Sequence, residues 1–298
     1  MKNLILISKK IIIFYKKEIQ SNDIAIFLCG GASDEQIKFR FILGNQLELR
    51  KSQYIYSIYY PETLFSEILL GYSDIDLLSL ENLLAKSVNV VVVPLQSVGT
   101  FTELGAFANH PMLKDKLIII IDPRYSKSKS FINSGPIKLL KNKTNSHIIY
   151  NEMKVSDIEK ISYKISEAAR DISEKTPLKK DLTNPLSSTL LFLFLIYVFD
   201  PIEKNTFEKL VSSLGLNDPL EINSATIVNS LINSGNIKLQ NNYYLSFVEE
   251  GFENILEKKG YNDTQVIKIK NNLSKFRIHA LNIYYRKRGL YSKGRVSP

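Results

Sequence analysis

Residues 88–95 have the sequence VNVVVVPL, an almost unbroken apolar run. A strand that is apolar on both faces is typical of the centre of a parallel sheet covered by helices. Similar short apolar runs predict four more strands, at residues 24–28, 53–60, 117–121 and 147–150. Helical patterns separate them, at residues 33–50, 62–70, 78–86, 99–107 and 155–172. This alternation predicts an α/β domain with a doubly wound, flavodoxin-like or Rossmann-like parallel sheet.

The pattern changes at residues 175–185, which contain two prolines and no apolar periodicity. Beyond them, three short helices followed by a small hairpin are the order of a winged-helix domain, with a generic helical dimerisation domain as the alternative. We therefore predict a catalytic domain with a helical lead-in, a linker, a winged helix-turn-helix domain and a basic segment. Their bounds are residues 1–174, 175–185, 186–263 and 264–298.

The composition excludes several classes of protein. The 298 residues are 44% hydrophobic and 23% charged, which is typical of a folded globular chain. A single cysteine and three histidines are too few for a disulfide framework or a structural zinc site, so we expect no metal. The longest apolar run, residues 190–199, is about half of a membrane span, and no signal-peptide pattern is visible. We expect a cytoplasmic protein without a membrane partner.

The net charge of +9 is concentrated at one end of the sequence. Residues 1–263 contain 30 basic and 30 acidic side chains, whereas residues 264–298 contain nine basic and no acidic ones. Phosphate groups are the natural partners of such a segment, and nearby tyrosines can stack on bases. The alternative is a solvated tail. The candidate nucleic-acid contacts are Lys275, Arg277, Arg286, Lys287 and Arg288. The predicted recognition helix, residues 224–234, lacks Lys and Arg, so we do not expect sequence-specific reading of the major groove.

The candidate small-molecule site lies at the carboxyl ends of the predicted strands, where open α/β sheets bind ligands. Glycines there let a ligand approach the backbone. We place Glu103 in the first turn of a helix entered through Gly99 and Thr100, where the helix dipole favours an ionised carboxylate. Such a carboxylate can stabilise the cationic carbon of glycosidic cleavage, although a plain helix-start acid is the alternative. The candidate binding residues are Cys29, Gly30, Gly31, Ser97, Gly99, Thr100, Asp122 and Asn133.

Five segments together resemble the nucleoside 2-deoxyribosyltransferase family, and within it the retron-associated effectors. They are IFLCGG (26–31), YYPETLF (59–65), LLSLENLLAKSV (77–88), SVGTFTELGAF (97–107) and SFINSGPIKLL (130–140). The resemblance covers roughly residues 24–172. It implies that Glu103 is the nucleophile, that Glu81 is a second catalytic carboxylate near the base or sugar, and that Asn133 positions the substrate. An exposed helix charge and a turn residue are the alternatives for Glu81 and Asn133.

Two positions depart from the transferase pattern. Phe27 replaces a tyrosine of the first strand, and Ser97 replaces an aspartate six residues before the nucleophile. A site with fewer proton-handling groups suits a leaving group that is already cationic, as nicotinamide is in NAD. We therefore expect an N-glycosidase that uses NAD as a substrate and needs no cofactor. A deoxyribosyltransferase or base glycosidase, and a non-catalytic winged-helix regulator, are the alternatives.

The resemblance also implies partners. Retron effectors are held inactive by a reverse transcriptase and its multicopy single-stranded DNA, with its RNA. We expect the same control here, because a free NAD-cleaving enzyme would kill its host. We further expect a homo-oligomer or a larger assembly with the retron complex.

Overall fold

The computed structural model divides the chain into two compact units. We call Asn22–Lys179 the sheet unit, and Met1–Ser21 with Lys180–Pro298 the helical unit. For residues 284–292 the backbone alone is described. The described residues are 1–20, 23–50, 52–61, 87–178, 182, 185–216, 224–233, 235–246, 252, 256 and 261–292.

The sheet unit is built on five parallel strands in the order β2-β1-β3-β4-β5. The strands are β1 (Asp23–Leu28), β2 (Ile55–Tyr59), β3 (Val90–Pro94), β4 (Leu117–Ile121) and β5 (His147–Tyr150). The run of valines forms β3, which lies in the middle of the sheet, and its residues Val90 to Val93 are fully buried. The predicted α/β architecture with a parallel sheet is confirmed, and its strand order is the flavodoxin-like one.

Helices pack on this sheet through their apolar faces. Ser33 and Gln36 form a capping box at the start of α2, and Leu43 and Leu47 of this helix are fully buried in the core. The helices are α2 (Asp34–Glu48), α3 (Val98–Asn109), α4 (Lys138–Lys143) and α5 (Ile158–Lys175). The predicted helices over residues 62–70 and 78–86 lie outside the described residues.

The described residues of the helical unit include five α-helices, a short π-helix at Lys16–Gln20 and a three-stranded antiparallel sheet in the order β6-β8-β7. Asn241 and Asn242, both with positive φ, form the turn of the β7–β8 hairpin, as two-residue hairpin turns require. The helices are α1 (Lys2–Tyr15), α6 (Pro185–Phe199), α7 (Lys204–Ser213), α8 (Ser224–Asn233) and α9 (Asp263–Ser292). The strands are β6 (Ile202–Glu203), β7 (Ile237–Gln240) and β8 (Tyr243–Ser246).

The N-terminal segment differs from its expected assignment. We placed residues 1–20 in the catalytic domain, whereas the structure packs them in the helical unit. The ring of Tyr15 makes an edge contact with Phe194 at 5.9 Å between centroids, and the Tyr261 hydroxyl donates to the Ile19 carbonyl at 3.3 Å. The apolar face of α1 therefore finds its core in residues far along the chain.

The described part of the basic segment is a helix. Residues 263–292 form the single helix α9. Val266, Ile269 and Leu273 are buried, so the first half of α9 belongs to the core of the helical unit.

Candidate functional site

The candidate site is the carboxyl edge of the sheet unit. The strand order reverses between β1 and β3, which is the switch point where open sheets bind ligands. Beyond the strand ends, the Cys29 N–H donates to the Val92 carbonyl and the Leu95 N–H donates to the Ile120 carbonyl, each at 2.9 Å. These bonds hold the ends of β1, β3 and β4 side by side.

The glycines after β1 lie against side chains of α2. A Cβ on Gly30 would lie 2.7 Å from Cδ of Arg40, and a Cβ on Gly31 would overlap Oε1 of Gln36. The Gln36 amide in turn donates to the Gln96 carbonyl at 2.8 Å. The space beside these glycines is therefore filled by side chains of α2, which tie the loop after β1 to the loop after β3.

The helix that carries Glu103 begins earlier than predicted. The Ser97 hydroxyl accepts from the Thr100 N–H at 3.3 Å, and the Thr100 hydroxyl accepts from the Ser97 N–H at 3.1 Å. Ser97 is thus the N-cap, Gly99 and Thr100 are the second and third residues of α3, and Glu103 is the sixth. The expectation of Glu103 in the first turn is wrong. Because the dipole effect falls off within the first turn, it contributes little at this position.

Glu103 itself is half-buried, and its Oε2 atom is shielded from solvent. Leu104 and Phe107 on the same helix are buried in the sheet unit. A carboxylate oxygen withdrawn from water interacts more strongly with a nearby cation than an exposed one does. The predicted second carboxylate, Glu81, lies outside the described residues.

A cavity of about 1130 Å³ opens between α2, the loop after β3 and the loops after β4 and β5. Its described lining includes Phe101 of α3 but not Glu103, which lies two residues and so about 200° further round the helix. Of the predicted binding residues, Asp122 and Asn133 line this cavity. The lining contains three carboxylates and three cations, namely Glu35, Asp122, Glu152, Lys38, Arg124 and Lys154.

Asp122 is buried and caps the short helix Pro123–Tyr125. Its carboxylate accepts from Arg124 Nη2 at 2.7 Å, from Arg124 Nε at 3.0 Å and from the Arg124 backbone N–H at 2.8 Å. The hydrogen bonds from the Arg124 side chain, followed by the backbone one, hold the pKa of Asp122 below its ordinary value. Asp122 is therefore an anion that is neutralised by its own loop.

Asn133 clamps the loop after β4. Its Nδ2 donates to the Tyr125 carbonyl at 2.7 Å and to the Ser128 carbonyl at 2.9 Å. These two acceptors fix the amide orientation, since the opposite one would set oxygen against oxygen. The Oδ1 atom is buried and accepts no hydrogen bond within the part of the chain that the structure describes.

The predicted nucleic-acid contacts divide into three groups. Lys275 is exposed on α9. Arg277 is mostly buried; it donates to the Tyr197 carbonyl and to Asp200 Oδ2, the latter at 3.3 Å, so it fastens α9 to α6. Arg286, Lys287 and Arg288 lie on α9, and their side chains are outside the description. Arg277 is thus engaged within the unit instead of being free for phosphates.

The described residues also bear on metal sites and membrane spans. No group of three or more His, Cys, Asp or Glu side chains in these ranges is arranged to hold a metal ion. Among the described helices, none combines the length and the apolar character that crossing a bilayer demands.

Comparison with known protein families identifies the family of the chain. Residues 36–239 match the family described as STM3845 retron effector protein. The chain belongs to this family. The predicted resemblance to retron effectors is confirmed, while the deoxyribosyltransferase branch and the winged helix stay predictions.

Two relatives of this retron effector come from Escherichia coli. One is named "Retron Ec86 putative ribosyltransferase/DNA-binding protein"; it is 28% identical over 284 residues, which cover 92% of this chain and 89% of the relative. The other is named "Retron Ec73 putative ribosyltransferase/DNA-binding protein"; it is 31% identical over 157 residues, 47% of this chain and 49% of the relative.

Sequence analysis of the retron effector missed three residues of the cavity. Gln96 has a buried Oε1 that accepts no hydrogen bond from the described residues, Arg124 neutralises Asp122, and Phe101 supplies an aromatic wall. The spacing of Asp122 and Arg124, two residues apart after a strand, was a usable signal of a capped turn. Nothing in the local sequence distinguishes Gln96, because its environment depends on α2.

Proposed function

We propose that this retron effector is an N-glycosidase that cleaves the N-glycosidic bond of a nucleotide, with NAD as the expected substrate. The observation that carries the proposal is the shielded carboxylate of Glu103, on the helix that follows the central strand. The relatives' names supply a ribosyl group as the chemistry to be handled. A shielded carboxylate suits this chemistry because the ribosyl carbon becomes cationic in the transition state.

In the proposed reaction, Glu103 attacks C1′ of the nicotinamide ribose or stabilises its cationic form. The bond between C1′ and the ring nitrogen breaks, and its electron pair neutralises the pyridinium, so nicotinamide leaves without needing a proton. Water then adds to C1′, displacing the Glu103 carboxylate where it has bonded to that carbon, and releases a proton, which gives ADP-ribose. Phe27 and Ser97, where the transferases have tyrosine and aspartate, fit a reaction that needs no acid for the leaving group.

A second candidate is transfer of the ribosyl or deoxyribosyl group to another base. The word ribosyltransferase in both relatives' names favours it. The two candidates share Glu103 and differ in the acceptor, which is water in one and a free base in the other. Product analysis separates them directly.

Control of the activity is part of the proposal. We propose that the retron reverse transcriptase and its multicopy single-stranded DNA hold the effector inactive. The order helix, strand, helix, helix and hairpin in residues 185–246 supports a winged-helix domain as the docking module. The DNA-binding part of the relatives' names supports nucleic acid as one partner.

The experiment is an assay of purified protein with NAD, and separately with deoxynucleosides plus a free base, with products resolved by chromatography. We expect nicotinamide and ADP-ribose from NAD. Glu103→Gln removes the charge while keeping the shape, and it should lower the rate about 1000-fold. The matched control is Glu174→Gln, an exposed glutamate near the end of α5, which should leave the rate unchanged.

Equal turnover by Glu103→Gln and the wild type would remove Glu103 from the proposal. Base exchange with intact NAD would make the chain a transferase. Expression in cells provides the test of control: the effector alone should be toxic, and co-expression with the complete retron should restore growth. Toxicity that persists with the retron present would contradict the proposed inhibition.

A further inference from the structure

The first and last described helices of the helical unit pack side by side and antiparallel. Phe14 of α1 makes an edge contact with Phe276 of α9, with ring centroids 6.0 Å apart. One end of the pair is fixed where Lys268 Nζ contacts Glu18 Oε2 at 2.6 Å, beyond the end of α1. Residue 14 contacts residue 276, whereas the later residue 18 contacts the earlier residue 268. The two segments therefore run in opposite directions. We call this contact line the terminal seam.

Basic side chains border the terminal seam from both helices. Lys10 lies one turn before Phe14, so both lie on the same face of α1, and Lys10 is exposed. On α9, Lys268 and Lys275 are seven residues apart and share one row, and Lys275 is exposed. Position 286 continues this row, at 11 residues beyond Lys275. Of the described carboxylates, Glu18 is the one that contacts this row, and it is engaged with Lys268.

The excess of basic side chains lies mainly in the helical unit. The helical unit has 20 basic and 12 acidic side chains, whereas the sheet unit has 19 and 18. Residues 1–21 contribute five lysines and one glutamate to the helical unit. The fold therefore adds lysines from one end of the chain to the basic residues at the other.

We propose that the terminal seam binds the phosphates of a single nucleic-acid strand, and that Lys10 of α1 is one of the contacts. The proposal rests on the proposed function only in taking nucleic acid as a partner. The row from Lys268 to position 286 is about 27 Å long on a straight helix. The exposed lysines Lys10 and Lys275 border one narrow contact line between two helices, and a chain of phosphates fits such a line better than a plane of lipid headgroups does.

The test uses full-length protein and a fluorescently labelled single-stranded oligodeoxynucleotide, with affinity measured by anisotropy across a KCl series. Each lost phosphate contact on a single strand flattens the plot of log affinity against log salt by about 0.7. The double variant Lys10→Gln/Lys275→Gln should therefore have a slope about 1.4 shallower than the wild type. Single variants should each account for about half of the change.

The matched control is Lys160→Gln/Lys164→Gln, two exposed lysines of α5 in the sheet unit. It removes the same charge and should leave the slope unchanged. Equal slopes for the seam variant and the wild type would overturn the role of the seam while leaving nucleic-acid binding intact. No binding by the wild type at low salt would instead contradict the nucleic-acid part of the proposed function.

A second arm tests a different polyanion. Leu6 and Ile13, which are 56% and 68% exposed on α1, lie beside these lysines and offer apolar surface to a membrane. Vesicles of phosphatidylcholine and phosphatidylserine should not compete with the oligonucleotide at equal phosphate concentration. Strong competition that is lost in the Lys10→Gln/Lys275→Gln variant would assign the seam to lipid and overturn the proposal.

Discussion

The sheet unit and the helical unit differ in what they present to a ligand. The sheet unit is nearly neutral, with 19 basic and 18 acidic side chains, and holds the cavity and the shielded carboxylate of Glu103. The helical unit carries an excess of eight basic side chains, from 20 basic and 12 acidic ones. We therefore propose that small-molecule chemistry and polyanion binding belong to different units. A substitution in one should leave the property of the other unchanged.

Arg277 provides the largest expected effect on stability. Its guanidinium is bonded to Asp200 and lies over the ring of Tyr197, 5.1 Å from the centroid. Arg277→Ala would leave the nearly buried Asp200 carboxylate without this cation, at a cost of about 3 kcal/mol. Hydrogen exchange followed by mass spectrometry should show lost protection in α6 and α9 only. An equal loss of protection in the strands of the sheet unit would contradict the independence of the two units.

Lys116 provides a test of the same comparison in the sheet unit. Its ammonium is buried at the start of β4 and donates to the Val88 carbonyl at 3.0 Å. Burial lowers the pKa of Lys116 to about 8. Between pH 8 and the ordinary value of 10.5, the unfolded chain binds more protons than the folded one, so this residue makes stability rise with pH.

Raising the pH from 7.5 to 10 should therefore stabilise the wild-type sheet unit by roughly 2 kcal/mol relative to Lys116→Met, whose profile lacks this contribution. Hydrogen exchange in β3 and β4 at both pH values, corrected for intrinsic rates, measures it. Parallel profiles of stability against pH for the two proteins would show that Lys116 has the same pKa in the folded and unfolded states.

Part of the fold was predictable from the sequence, and part was not. The strands were predictable because their apolar runs are continuous, and β4 matches its predicted bounds, residues 117–121. The packing of α1 in the helical unit was not predictable, because it depends on pairs such as Phe14 with Phe276 that are far apart in sequence. For the same reason, the engagement of Arg277 with Asp200 could not be distinguished from a free basic side chain.

The position of the cavity was predictable, and its lining was less so. The carboxyl edge follows from strand order, and Asp122 and Asn133 do line a cavity there. The start of α3 was predicted to within one residue, but Ser97 caps the helix through Thr100, which places Glu103 beyond the first turn. The close approach of Arg40 and Gln36 to the glycines after β1 was not predictable, because these side chains reach the glycines only in the folded helix.

Asn133→Ala should loosen the loop after β4. It removes donors to the Tyr125 and Ser128 carbonyls, at a cost of about 1 kcal/mol. Amide exchange in residues 123–133 should speed up roughly fivefold, while α9 is unaffected. The control Asn109→Ala, at the exposed end of α3, should not change the loop. Unchanged exchange in Asn133→Ala would show that other contacts hold this segment.

Asp122 has the smallest expected effect. Because its folded-state pKa is depressed, it stabilises the sheet unit above the ordinary carboxyl pKa, and this contribution is lost as the pH falls through the folded value. Since Arg124 is largely exposed, solvent screening keeps this contribution small. Asp122→Asn should lose less stability than the wild type between pH 6 and pH 3 in chemical denaturation. An equal loss would show that this pair does not contribute.

The proposal that chemistry and polyanion binding belong to separate units is tested most directly by measuring both properties in the same two variants. NAD cleavage and the salt dependence of oligonucleotide binding are measured for Glu103→Gln and for Arg286→Ala/Lys287→Ala/Arg288→Ala. We predict that the first variant loses cleavage and binds like the wild type, while the second cleaves like the wild type and binds with a flatter salt slope. Loss of both properties in either folded variant would contradict the assignment of chemistry and polyanion binding to separate units.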